Sequence, residues 1–243
     1  QVFSSDKTAA VIWEEARSGS SKFHIPYSNF EFLYNAALQT VLLHTPRESY
    51  AGPYTYKRFW FRDAAFIVNA LLCAGLEDRA ERIINTFFQH QQPSGYFLSQ
   101  DGEWDSNGQA LWAMMRYCQF SGRKPPLFWK EYIIKGAFWI SRKRNSNKGG
   151  GMLRGLFPAG FSAEHLGPND YYYWDDFWGV AGLRAAAWML GELGEMRLSD
   201  LFYNEARDFM KCIDESITAV AELTASEIMP ASPNRRADSG AVG

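Results

Sequence analysis

The chain has little of what several functional classes require. Its net charge is only −2, from 25 basic and 27 acidic residues. So even a balance gives no strong field for a polyanion, and neither nucleic acid nor an anionic membrane surface is indicated as a partner. There is no run of about 18 apolar residues, so no membrane-spanning helix is expected. No signal-peptide pattern opens the chain. It begins at Gln1 rather than Met, however, which leaves open a leader removed before that point. Cysteines number three: Cys73, Cys118 and Cys212. None stands in C-x-x-C spacing and each lies in an apolar helical run, so buried free thiols are expected. Unpaired cysteines without a visible leader favour the cytoplasm. The histidines, His24, His44, His90 and His165, show no H-x-x-x-H or similar spacing. Zinc, other metals and cofactors are therefore not expected.

Apolar and aromatic residues are abundant instead. Hydrophobic residues make up 47% of the 243, and aromatic ones 16%, with nine Trp. Many of these rings stand beside Gly, Asp and Asn rather than inside helical runs, which suggests a lined cleft as well as a core. The basic triplet Arg142-Lys143-Arg144 reads as a helix C-terminus, where cations complement the dipole.

The spacing of apolar residues is helical throughout, and no sustained period-two pattern appears. A first helix is read over 6–17 with Asp6 as its cap. A second runs from Ser28 or Asn29 to about His44. Residues 62–74 are apolar on nearly all sides and should be buried all round. Residues 77–90 carry Ala80, Ile83, Ile84, Phe87 and Phe88 on one face, and charge on the other. The same alternation follows: 106–120 apolar, 126–144 amphipathic, 176–190 small and apolar, 197–223 amphipathic. Gly179, Ala181 and Gly182 allow the third apolar helix close contacts. Buried and outer helices thus alternate as hairpins of roughly 40–60 residues, a pattern that stacks into solenoids or closes into rings. Long loops precede the buried helices, at 46–61, 92–105 and 145–175, and loops of that length are usually functional. Pro93 to Phe97 reads as a turn that brings Tyr96 or Phe97 to the same end. Gly149 to Gly160 could frame a short hairpin.

Two of these loops end in segments with recognisable chemistry. One is Arg58-Phe59-Trp60-Phe61-Arg62-Asp63, the other Tyr171-Tyr172-Tyr173-Trp174-Asp175-Asp176-Phe177-Trp178. Each sets carboxylates among aromatic rings. Rings cover the C–H faces of sugars, carboxylates hold hydroxyls, and a carboxyl group can donate a proton.

On these residues the chain resembles the six-hairpin glycosidases, (α/α)6 toroids of the glucoamylase type. Trp60-Phe61-Arg62-Asp63 is similar to that family's W-x-R-D. Trp104-Asp105-Ser106-Asn107-Gly108 is similar to its Q-x-D-G segment, and Trp174-Asp175-Asp176 to its W-E-E. The likeness covers roughly 29–223, in the family's order. It implies an all-α toroid, or part of one, in a single domain over 1–243. It implies a glycoside hydrolase, with Arg62 and Asp63 binding the sugar and Asp175 as proton donor. Asp replaces Glu at 175 and 176, which shortens the reach. Fewer helices are read than six hairpins need, and the family's general base lies near its final hairpin. The segment Asp238 to Gly243 reads like the cap of another buried helix, so a chain continuing past Gly243 is expected.

The catalytic candidates are Asp175, then Asp176, then Glu164. The binding candidates are Trp60, Arg62, Asp63, Trp104, Asp105, His165, Tyr173, Trp174 and Trp178. Each has a plainer reading beside it. Arg62 and Asp63 would also serve as an ion pair and helix cap. Asp175 and Asp176 would also cap a helix, though two adjacent acids in an apolar wall raise at least one pKa. Glu164 and His165 would also suit a solvated loop, and Trp is most often core. Three functions stay open: a glycoside hydrolase that cleaves an oligo- or polysaccharide by carboxylate acid/base catalysis, with inversion expected; a phosphorylase, epimerase or uronate lyase on the same fold; or a non-catalytic carbohydrate-binding protein.

Overall fold

The computed structural model describes residues 9–22, 24, 26–161, 168–226 and 228–234. Among these the protein is all-α. Its helices are α1 (Ala9–Ala16), α2 (Ser28–Leu43), α3 (Phe61–Cys73), α4 (Glu77–Phe87), α5 (Ser106–Ser121), α6 (Lys130–Asn145), α7 (Tyr173–Glu192) and α8 (Met196–Thr224). The only extended pairing among the described residues is two isolated bridges, Gln91 with Phe97 and Gly160 with Asp170.

The helices follow from their apolar spacing. On α8, Phe202, Ala206, Phe209, Ile213, Ser216 and Val220 are buried, at steps of four and three residues that keep one face inward. On α4, Ala80, Ile83, Ile84 and Phe87 form the buried face. α5 stops at Gly122, whose φ of +65° supplies the left-handed turn that an L side chain resists.

Helices α3, α5 and α7 form a central row, with α3 against α5 and α5 against α7. Helix α4 packs on α3 and α5, α6 on α5 and α7, and α8 on α7. Buried and outer helices therefore alternate as the sequence pattern indicates. Phe61, Phe87, Phe97, Phe157, Phe202 and Phe209 lie in the shared core. Each contributes roughly 1.5–3 kcal/mol relative to an exposed ring. The closest approach in the row is between α5 and α7. A Cβ on Gly108 would stand 2.0 Å from the carbonyl oxygen of Trp178, and one on Gly182 2.6 Å from the Cα of Gly108. The small residues read as close-contact positions on α7 do this work.

Several expectations need correction. Helix α3 is not buried all round: Phe66, Ala70 and Cys73 are exposed, because α2, α4 and α5 cover its other sides. Cys118 and Cys212 are buried, but Cys73 belongs to that uncovered stripe. The hairpin read between Gly149 and Gly160 is absent. A short 3-10 turn, Gly151–Leu153, stands there, and Gly160 pairs with Asp170 instead. Helix α2 is preceded by Tyr27, with no side-chain cap from Ser28 or Asn29. Asp6 lies outside the described residues. Helix α7 begins at Tyr173, three residues early, so Asp175 and Asp176 sit within its first turn.

Candidate active site

The first turns of α3, α5 and α7 meet, and one oxygen joins them. Oδ2 of Asp105, just ahead of α5, accepts Nε and Nη2 of Arg62 on α3, both at 3.1 Å. It also accepts Nε2 of Gln109 at 2.7 Å and the indole N–H of Trp174 on α7 at 2.8 Å. Gln109 reaches it because residues four apart share a helix face. Arg62 Nη2 also donates to Oε2 of Glu103 at 2.9 Å. The expected gathering of the three loop ends is thus present for Arg62, Asp105 and Trp174. Three helix N-termini converge here, and their partial positive charge tempers repulsion among the acids.

The loop before α5 is braced from behind. Gly95, at φ +90°, makes its turn, and a Cβ there would stand 2.2 Å from the carbonyl oxygen of Lys135. Asn107 closes the same turn. Its Nδ2 donates to the carbonyls of Gly95 (2.9 Å) and Gly136 (3.0 Å), and its Oδ1 accepts the N–H of Phe97 (2.9 Å). Tyr96 follows the turn, stacks on Trp139 at 4.3 Å, and donates its hydroxyl to the carbonyl of Glu103 at 2.8 Å. The turn read at Pro93 to Phe97 therefore fixes the backbone that carries Glu103 and Asp105.

The start of α7 is held by a strap. Asp170 accepts Ser232 Oγ (2.8 Å) and Asn234 Nδ2 (2.7 Å), and Tyr173 N–H donates to the carbonyl of Ala231 (3.1 Å).

Asp175 is 2% exposed, and its Oδ1 is enclosed with no hydrogen-bond partner. Burial raises its pKa well above the usual carboxylate range. The charges of Asp105 and Asp176 add to this, and Arg62 opposes it. Glu103 is also buried, which pushes it up to about 7 against the pull of Arg62. Burial raises Asp63 too, although Arg62 and its own backbone N–H pull the other way. Four acids and one guanidinium share this small volume, and burial favours the protonated forms of Asp175 and Glu103.

The other candidates fall on different sides. Asp176 is fully buried and turned to the core, where its Oδ1 accepts the N–H of Phe157 at 2.7 Å. Burial pushes it up to about 8. Tyr173 is a correction: it is 1% exposed, and its hydroxyl pairs with Ser216 of α8 at 2.8 Å, so it packs between helices. Trp60 is buried beneath the guanidinium of Arg58, 3.7 Å from its ring centre. Trp104 is half-buried, donates to the carbonyl of Pro158 at 3.0 Å, and carries Lys143 Nζ 3.4 Å over its ring. Trp174 is 40% exposed and is the candidate tryptophan that offers most surface. Trp178 meets it edge-on at 6.0 Å and continues toward Trp112 and Phe66 on α5 and α3. Glu164 and His165 lie outside the described residues.

Sequence reading missed Glu103 and Gln109. Their signal was local. Glu103 stands two residues before Asp105 in non-helical backbone, and Gln109 four residues after it on a helix. Both spacings turn side chains to one side. A recess of about 660 Å³ between α1 and α2, lined by Glu14, Arg17, Ser20, Lys22 and Glu31 among others, contains none of these residues. Among the described residues no group of His, Cys, Asp and Glu is arranged to hold a metal. Comparison with protein-family models, with curated proteins and with solved structures gives no match to this chain.

Proposed function

We propose that the protein is a glycoside hydrolase whose helical hairpins form an (α/α)6 toroid or part of one. The observation that carries this reading is Asp175. It is a buried carboxyl group whose pKa burial and the charges of Asp105 and Asp176 raise well above the usual range, next in sequence to the exposed ring of Trp174 and within the field of Arg62. Such a group suits protonation of a glycosidic oxygen. The alternating row of α3, α5 and α7 with α4, α6 and α8 outside supports the architecture.

Each residue then has a task. Trp174 covers the apolar face of a sugar ring, and its indole N–H bond to Asp105 fixes the plane of that face. Asp63 accepts sugar hydroxyls. Asp175 gives its proton to the leaving oxygen as the C–O bond breaks. The carboxylate left behind is an anion in a dry site, and Arg62 lowers the cost of that charge. In an inverting reaction a second carboxylate activates water about 6.5–9.5 Å away. Asp176 acts at one remove, holding the backbone of Phe157 behind α7.

The test is release of reducing sugar from a panel of oligosaccharides, by the protein and by Asp175→Asn. Hydrolysis by the first and not by the second supports the reading. Binding without release by either would leave a carbohydrate-binding protein. Release only when inorganic phosphate is present would leave a phosphorylase.

A further inference from the structure

The cluster also has a charge preference, and this inference rests on the carbohydrate reading above. The cations near it are turned to protein partners. Arg62 bonds Asp105 and Glu103. Arg58 lies over Trp60 and donates to the carbonyl of Ser99 and the side chain of Gln100. Lys143 lies over Trp104.

The acids are in excess, and acceptors are left over. Asp63 is half-buried and no side-chain hydrogen bond to it is made among the described residues, although Arg62 and His44 lie near enough to act on its charge. Oε1 of Gln109, a residue with no exposed surface, is enclosed without a partner. The amide orientation of Gln109 is fixed, because the Asp105 oxygen it faces accepts from three other donor groups. A ligand that satisfies such a site brings donors rather than acceptors. An ammonium group brings three donors and a positive charge, whereas a carboxylate or phosphate brings acceptors alone.

We propose that the site takes sugars bearing a free amino group in preference to neutral ones and rejects acidic sugars, with Asp63 seating the ammonium. Asp63 suits this because it stands at the edge of the cluster, in the first turn of α3, open enough to be reached.

The experiment compares equilibrium binding of matched oligosaccharides of glucosamine, glucose and glucuronic acid, followed by tryptophan fluorescence. At low salt the glucosamine oligomer binds about threefold to fivefold tighter than the glucose oligomer, as expected for one partly exposed ion pair. The glucuronic acid oligomer binds more weakly than either. The spread narrows near 1 M salt, where screening reaches about 3 Å. Asp63→Asn removes the advantage of the amino sugar and lowers neutral-sugar affinity less. Equal binding of acidic and neutral oligomers overturns the charge preference and leaves the carbohydrate reading standing. An amino-sugar advantage untouched in Asp63→Asn, with the variant's thermal melt unchanged, overturns the role of Asp63. Failure of all three oligomers to bind overturns both this inference and the reading beneath it.

Discussion

The indole N–H of Trp174 donates to Oδ2 of Asp105 at 2.8 Å, across 69 residues of sequence. It ties the first turn of α7 to the residue that opens α5, and fixes the orientation of the exposed ring. Trp174→Phe keeps an aromatic face but loses this donor. The expected result is weaker sugar binding with little change in global stability, since Asp105 keeps Arg62 and Gln109. Trp174→Ala loses the face as well and should bind weaker still. Calorimetric titration with a ligand of the wild type would separate the two. Equal affinities for Trp174→Phe and wild type would show that the indole bond does not orient the ring.

Asp175→Asn should lower the rate on a natural glycosidic linkage by about 10² to 10⁴, the usual worth of general acid catalysis. Binding should survive, because the amide keeps the shape. An aryl glycoside with a good leaving group needs little protonation, so the defect should shrink with it. A defect of equal size on both substrates would mean that Asp175 is not the acid.

Asp176 gives a stability prediction with a definite sign. Its folded-state pKa is pushed up to about 8 by burial, against about 4 in an unfolded chain. Between those values the folded state holds a proton that the unfolded state has lost. Its contribution is therefore complete below pH 4 and falls away as pH rises toward 8. Glu103, pushed up to about 7, acts in the same direction over a narrower span. Asp176→Asn keeps an oxygen for the N–H of Phe157 and cannot ionise. Its melting temperature should fall less than that of wild type between pH 5 and pH 9. Parallel curves for the two proteins would remove Asp176 from the explanation.

Gly108→Ala and Gly182→Ala should both destabilise the crossing of α5 and α7. Overpacking of a tight interior typically costs about 1–3 kcal/mol. Gly108→Ala should be worse, because its new Cβ meets the carbonyl oxygen of Trp178 at 2.0 Å, whereas a Cβ on Gly182 meets the Cα of Gly108 at 2.6 Å. Urea midpoints would rank them, and a neutral result at Gly108 would show that the crossing can widen.

The helices were legible because burial imposes a period on the sequence. The steps of four and three along α8 and the charged face of α4 are visible without coordinates. The meeting of Arg62, Asp105 and Trp174 was legible for a related reason: each opens a central helix, and neighbouring helices of one direction share an end. Glu103 was not legible, since an acid in a polar loop looks solvated until the packing of Tyr96 over its backbone is known. Tyr173 misled because its neighbours are aromatic and acidic. Which way a residue in a first turn points depends on the helix behind it, here α8 with Ser216. The exposed stripe of α3 was hidden for the opposite reason. Phe66, Ala70 and Cys73 are as apolar as their buried neighbours, and only the absence of a covering element among the described residues sets them apart.

The single oxygen of Asp105 that joins Arg62, Gln109 and Trp174 has a genetic consequence. Groups that share one acceptor are not independent, so losses measured one at a time will not sum. A change at Gln109 should matter greatly with Asp105 in place and little once Asp105 is gone. Substitutions among these four positions will therefore be tolerated in combinations that no single variant foretells, and the residues should drift as a set.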